Sequence, residues 1–168
     1  SLVSLQLGVH GLESDALAQL LCGVCKTLRW LQLEAFGGAS NAFLHSLQVP
    51  NLKTLRIMQV ATTVDGAEAL CGALERMIQL EELQVSLWSA SFVNILTAFF
   101  NSAFRPLVKF ECLYGDNVTV ESFSAFLKAL KRNTRLREFV GDGRCFEGPC
   151  FQESGLAQEG YLTFAHAK

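Results

Sequence analysis

Cys22 and Cys25 stand two residues apart, the spacing that holds a metal ion or cycles between dithiol and disulfide. Neither use fits their surroundings. A structural zinc site needs four ligands, and no second cysteine or histidine pair lies at ligand spacing. Leu21-Cys22-Gly23 returns as Leu70-Cys71-Gly72. Cys22 therefore occupies a recurring position of a helical segment, where a free thiol behaves as a small hydrophobe. The expectation is that Cys22, Cys71 and Cys112 are buried and unpaired. Cys145-x4-Cys150 lies in an irregular stretch, residues 141–150, where a disulfide is sterically allowed and a reduced loop is the simpler reading.

The other reactive residues do not converge. His10, His45 and His166 are scattered along the chain. No Ser/His/Asp set and no carboxylate pair assembles around them. Phe36-Gly37-Gly38 and Gly141-Asp142-Gly143 lack the Lys-Ser/Thr of a phosphate loop and read as turns. The sequence thus assigns no catalytic residue, no cofactor and no metal, and the chain reads as a non-enzyme.

What the chain repeats is a leucine phrase. Leu2-x-x-Leu5-x-Leu7 returns as Leu28-x-x-Leu31-x-Leu33, Leu52-x-x-Leu55-x-Ile57 and Leu80-x-x-Leu83-x-Val85. It fades through Leu107-x-x-Phe110-x-Cys112 to Leu136-x-x-Phe139-x-Gly141. A period in the range of about 20–50 residues marks a solenoid or array. Alternation within each phrase predicts a short strand, with Leu31 and Leu33 on one face and Trp30, Gln32 and Glu34 on the other. Between phrases the apolar spacing turns helical. Residues 15–26 carry Leu17, Leu20, Leu21 and Val24. Residues 65–74 carry Ala67, Leu70, Cys71 and Leu74, and residues 120–130 carry Phe123, Phe126, Leu127 and Leu130. Ser14 or Asp15, Thr63 or Asp65, and Thr119 are the expected helix caps. The second unit is the shortest, with a helix near residues 42–47 that Pro50 stops. Strand, helix and return to a parallel strand make a right-handed coil, with the sheet inside a curve and the wider helices outside.

These units resemble leucine-rich repeats, and their length and long helices resemble the ribonuclease-inhibitor-like class. Residues 65–70 followed by Leu80-Glu81-Glu82-Leu83 are the most family-like stretch. The resemblance covers residues 1–143 and leaves 144–168 as an irregular C-terminal segment or cap. It implies an α/β leucine-rich-repeat solenoid of about six divergent units. The family usually places Asn or Cys just past the strand to bond backbone between turns. Here the ninth position of each phrase is His10, Phe36, Val60, Trp88, Gly115 or Arg144. The turns must satisfy their backbone groups in another way or be looser.

In such an arrangement the concave sheet face is the binding surface. The residues expected on it are Trp30, Gln32, Glu34, Thr54, Arg56, Met58, Glu82, Gln84, Lys109 and Glu111. Trp30, Arg56 and Met58 are expected at similar height on adjacent strands, with the composition of an interface core. A second candidate is the outer half of one unit, where Phe92, Phe99, Phe100 and Phe104 crowd together. Core packing and a partner-covered helix face compete for them.

Composition narrows the partners. Half the residues are hydrophobic, 18% are charged and the formal net charge is −2. That balance argues against a nucleic-acid partner and for a protein one. No apolar run approaches the ~18 residues of a membrane span. The cysteine usage fits a reducing, cytoplasmic setting. The chain opens on a strand phrase without a polar cap, so it reads as a segment of a longer protein or complex. The expected role is a protein-protein interaction scaffold. The alternative is the ligand-sensing or substrate-receptor arm of a multidomain protein of immune-sensor or F-box type.

Overall fold

The computed structural model describes residues 2–8, 14–34, 40–58, 64–102, 107–132 and 135–141. Strand and helix alternate strictly: β1 (Ser4–Gly8), α1 (Ser14–Val24), β2 (Trp30–Glu34), α2 (Ser40–Ser46), β3 (Thr54–Ile57), α3 (Val64–Arg76), β4 (Glu82–Ser89), α4 (Ala90–Ser102), β5 (Lys109–Asn117), α5 (Val120–Lys131) and β6 (Glu138–Gly141). The strands form one parallel sheet in chain order. Each leucine phrase supplies one strand, and each segment of helical spacing one helix.

Register follows the phrase. Leu5, Leu31, Leu55, Leu83, Phe110 and Phe139 lie in one row across the sheet, and Leu7, Leu33, Ile57, Val85 and Cys112 in the next. From β2 onward both rows are sealed against the helices, with no residue more than 1% exposed. A slip of one residue would turn every one of these side chains to the opposite face. From the second phrase onward the first Leu (Leu28, Leu52, Leu80, Leu107, Leu136) is buried too, just ahead of its strand, whereas Leu2 is exposed.

The helices close the core from one side. In α5, Phe123, Phe126, Leu127 and Leu130 are all buried, as their spacing predicts. In α3, packed between α2 and α4, the buried residues are Gly66, Ala67, Ala69, Leu70, Ala73 and Leu74. Small residues there let three helices approach closely. Thr119 caps α5, its hydroxyl accepting from the Ser122 amide at 3.2 Å. That satisfies one of the amides a helix start leaves orphaned. The Phe-rich helix α4 turns Phe92, Phe99 and Phe100 into the core. Phe100 meets Phe110 and Phe126 edge-on at 6.2 and 5.9 Å, and Phe110 stacks on Phe139 at 6.0 Å. Core packing, not a partner, accounts for these three rings; Phe104 lies outside the described residues.

The strand starts share one bonding pattern. Two successive amides donate to a single carbonyl of the preceding unit: Arg29 and Trp30 to Val3, Lys53 and Thr54 to Arg29, Glu81 and Glu82 to Lys53, Val108 and Lys109 to Glu81, and Arg137 and Glu138 to Val108. At the other end β4 and β5 run on beyond the phrase. They stay paired through Ser86–Leu113 and Leu87–Tyr114 to Ser89–Asn117, with a register shift before the last pair. Of the ninth phrase positions, only Trp88 and Gly115 lie within these strands; His10, Phe36, Val60 and Arg144 lie outside the described residues.

Two arginines tie successive helices together. Arg76, at the end of α3, donates to the carbonyls of Leu44, His45 and Leu47 at 2.9–3.1 Å. These carbonyls lie at the C-terminus of α2, which has no intrahelical donors left to offer them. Arg132, just past α5, donates to the Asn101 side chain of α4 at 2.6 Å.

Leu55→Ala is expected to cost about 2–5 kcal/mol, as a fully buried truncation does. Arg76→Ala is expected to cost about 1–3 kcal/mol, since it strips three carbonyls of a charged donor. Urea unfolding measures both. Wild-type midpoints in both variants would contradict the packing and bonding described.

Candidate protein-binding face

Alternation that buries Leu31 and Leu33 leaves Trp30, Gln32 and Glu34 half-exposed, and the same holds for Thr54 and Arg56, Glu82 and Gln84, and Lys109 and Glu111. No described element covers this side of the sheet. All ten expected face residues lie within the described set, nine on the strands and Met58 one residue past β3.

The side chains cross-link in rows. Gln6 Nε2 donates to Glu34 Oε1 at 3.0 Å, and Gln32 Nε2 donates to the same oxygen. Thr54 Oγ1 donates to Glu82 Oε2 at 3.4 Å, and Gln84 Nε2 to Glu111 Oε1 at 2.9 Å. Lys109 forms an ion pair with Glu138 at 2.8 Å. Such cross-strand pairs each contribute roughly 0.2–1 kcal/mol. They also hold the rotamers of a polar surface that would otherwise lose entropy on binding.

The Arg56 guanidinium sits 5.9 Å from the Trp30 ring centroid. That lies just inside the roughly 6 Å reach of a cation–π contact. The pair is diagonal, since Trp30 is in register with Thr54 and Arg56 with Gln32. Met58 does not join it. It lies four residues beyond Thr54, the partner of Trp30, or about 13 Å along the strand. The expected three-residue patch is therefore a two-residue one, with Met58 level with Glu34, its amide donating to the Leu33 carbonyl at 2.9 Å. The phrase itself carries this difference in height, because Trp30 is the third position of its phrase and Met58 the seventh of the next, and the strands pair position to position.

A shallow dent lies on the same face between β3 and β5. Its walls are Thr54, Arg56, Glu82, Gln84, Lys109 and Glu111 over a floor of Leu83. Sequence reasoning named the residues but not the Trp30–Arg56 contact or the amide–carboxylate rows, which only register reveals.

The thiols divide by position. Cys112 is buried as expected, but Cys71 is only half-buried and Cys22 is exposed, which corrects the expectation of burial for both. Leu21 and Leu70 both point into the core, and each following cysteine turns about 100° away. Helix α3 has neighbours on both sides, so Cys71 is covered. Among the described residues α1 has only α2, so Cys22 and Leu20 face outward. Cys25 Sγ donates to the Cys22 carbonyl at 3.1 Å. No group of three or more His, Cys, Asp or Glu among the described residues is placed to hold a metal ion. His45 is exposed on α2, while His10, His166, Cys145, Cys150 and residues 144–168 lie outside the described residues.

Burial pushes the Cys71 thiol up to about 12, and the carboxylates of Glu75 and Glu68 push it the same way. Only the thiolate is nucleophilic. No helix among the described residues is long and apolar enough to cross a membrane. No protein-family model, no curated protein and no solved structure matches this chain.

Alkylation of the native chain at pH 8, read by peptide mass spectrometry, is expected to modify Cys22 far faster than Cys71. With a pKa near 12, the thiolate at Cys71 is roughly one part in ten thousand at that pH. Urea should bring the two rates together. Equal rates in the folded chain would refute the burial of Cys71.

Proposed function

We propose that the chain is a divergent leucine-rich-repeat solenoid of ribonuclease-inhibitor-like type, with about six units. Its role on this reading is a non-catalytic scaffold that binds another protein through the open sheet face, within a larger protein or complex. The observation that carries it is the Trp30–Arg56 pair, held half-exposed on a sheet whose other side is sealed by five helices. Aromatic and arginine side chains dominate interface energetics, because they bury much area at little entropic cost. Rows of hydrogen-bonded side chains around the pair support the reading, since they pre-order the surface a partner would meet. The in-register leucine rows and the repeated strand-start bonds support the solenoid reading. The free thiols at Cys22, Cys25, Cys71 and Cys112 accord with a reducing cytoplasmic setting.

The double variant Trp30→Ala/Arg56→Ala tests this reading. It is expected to weaken binding of a co-purifying protein partner by about 30-fold or more, the ~2 kcal/mol of a hot spot. Neither residue belongs to the core, so the melting temperature should move by only a few degrees. Unchanged affinity in the double variant would remove the sheet face as the site.

A further inference from the structure

The binding face carries an unbalanced charge. Glu34, Glu82, Glu111 and Glu138 lie on it with Arg56 and Lys109. Lys109 is spent on Glu138. Arg56 rests on the Trp30 ring and makes no ion pair among the described residues. Glu34, Glu82 and Glu111 accept hydrogen bonds only from neutral donors: the Gln6 and Gln32 amides, the Thr54 hydroxyl and the Gln84 amide. These bonds fix the carboxylates in place without pairing them to a cation, and with Arg56 and Lys109 lining the same dent the face keeps four carboxylates against two cations. The cations at the strand starts do not neutralise them either. Lys53 pairs with Glu81, and Arg29 donates to the Asn51 carbonyl.

From this charge pattern we infer that the partner is a basic protein segment, one that sets lysine or arginine side chains against Glu34, Glu82 and Glu111 beside the Trp30–Arg56 pair. The inference rests on the sheet face being the binding surface. Glu82 stands level with Trp30 and Lys109, Glu111 one level further along with Arg56, and Glu34 one level beyond that, back on β2. Glu82 and Glu111 are thus close neighbours on adjacent strands, and a segment laid across the strands meets this pair on one side of Arg56 and Glu34 on the other. Arginine suits such sites, because its fork bonds both oxygens of a carboxylate at once. Each carboxylate here has one oxygen engaged by a neighbour and the other open to a partner. Charge of this kind speeds encounter and rejects acidic competitors more than it adds affinity. The Trp30–Arg56 pair supplies the apolar contact.

A random-peptide display library panned on the 168-residue chain tests this. Binders are then measured on Trp30→Ala, on Glu82→Gln/Glu111→Gln, and on Glu68→Gln/Glu121→Gln as a helix-surface control. Glutamine keeps each side-chain oxygen as an acceptor, so the Thr54 and Gln84 bonds survive and only charge is lost. Expected are binders enriched in lysine and arginine that lose about tenfold or more on the face double variant. They should weaken with added salt and bind the control as they bind the parent. Trp30-dependent binders that are acidic or uncharged would overturn the basic-partner inference while leaving the face as a binding surface. Basic binders that respond equally to both double variants would overturn it as non-specific charge attraction. A library yielding no Trp30-dependent binder would sink the face and the inference together.

Discussion

Two rows of apolar side chains, in register across a parallel sheet, are the constraint on which the rest of the structure depends. Leu31, Leu55, Leu83, Phe110 and Phe139 form one row, with Leu33, Ile57, Val85 and Cys112 beside it. Because side chains alternate along a strand, burying these rows fixes what stands on the other face. Trp30, Arg56, Glu82 and Glu111 are displayed because their neighbours are not. The open sheet face and the core are one pattern read from two sides. A single-residue shift of any strand would bury its polar residues and expose its leucines.

Each unit leans on the previous one through backbone as well as side chain. A shared carbonyl at every strand start sets the stagger between neighbours. Arg76 and Arg132 repeat the arrangement on the helix side. Energetics of this kind are nearest-neighbour in form, with stability approximated by units and the interfaces between them. Composition nonetheless changes along the stack. The low-numbered half is packed with leucine and alanine. The high-numbered half turns on Phe92, Phe100, Phe110, Phe123, Phe126 and Phe139, with edge-on and stacked contacts linking the last five.

The architecture was largely legible because it is written in periodicity. Leu55 and Leu83 announce strands by alternation, and Phe123, Phe126, Leu127 and Leu130 announce a helix face by spacing. What escaped depends on neighbours that spacing does not encode. Cys22 and Cys71 share a local sequence and differ in burial because α3 is flanked twice and α1 once among the described residues. Met58 shares the outward direction of Trp30 but not its height, a difference the phrase already carries, since Met58 is its seventh position and Trp30 its third. The pairing of Glu34 and Glu111 with neutral donors does depend on contacts that spacing does not encode. Composition counts charges, whereas their compensation depends on which side chain register brings alongside.

Strand β1 differs from its successors. Its inward residues Leu5 and Leu7 are only half-covered, and Leu2 and Val3 are 42% and 51% exposed. Among the described residues, β1 therefore has less apolar cover to lose than β2 to β5. Trp30 stands on the next strand inward, directly in register with Ser4. Loss of β1 strips Trp30 of that lateral neighbour and Glu34 of its Gln6 donor. A ligand gripping Trp30 and Glu34 stabilises only the zipped form, so by mass action it holds the seam shut. Occupancy of the face and the fraying of its margin are thus two readings of a single equilibrium, and hydrogen exchange along β1 becomes a gauge of what the neighbouring strand is holding.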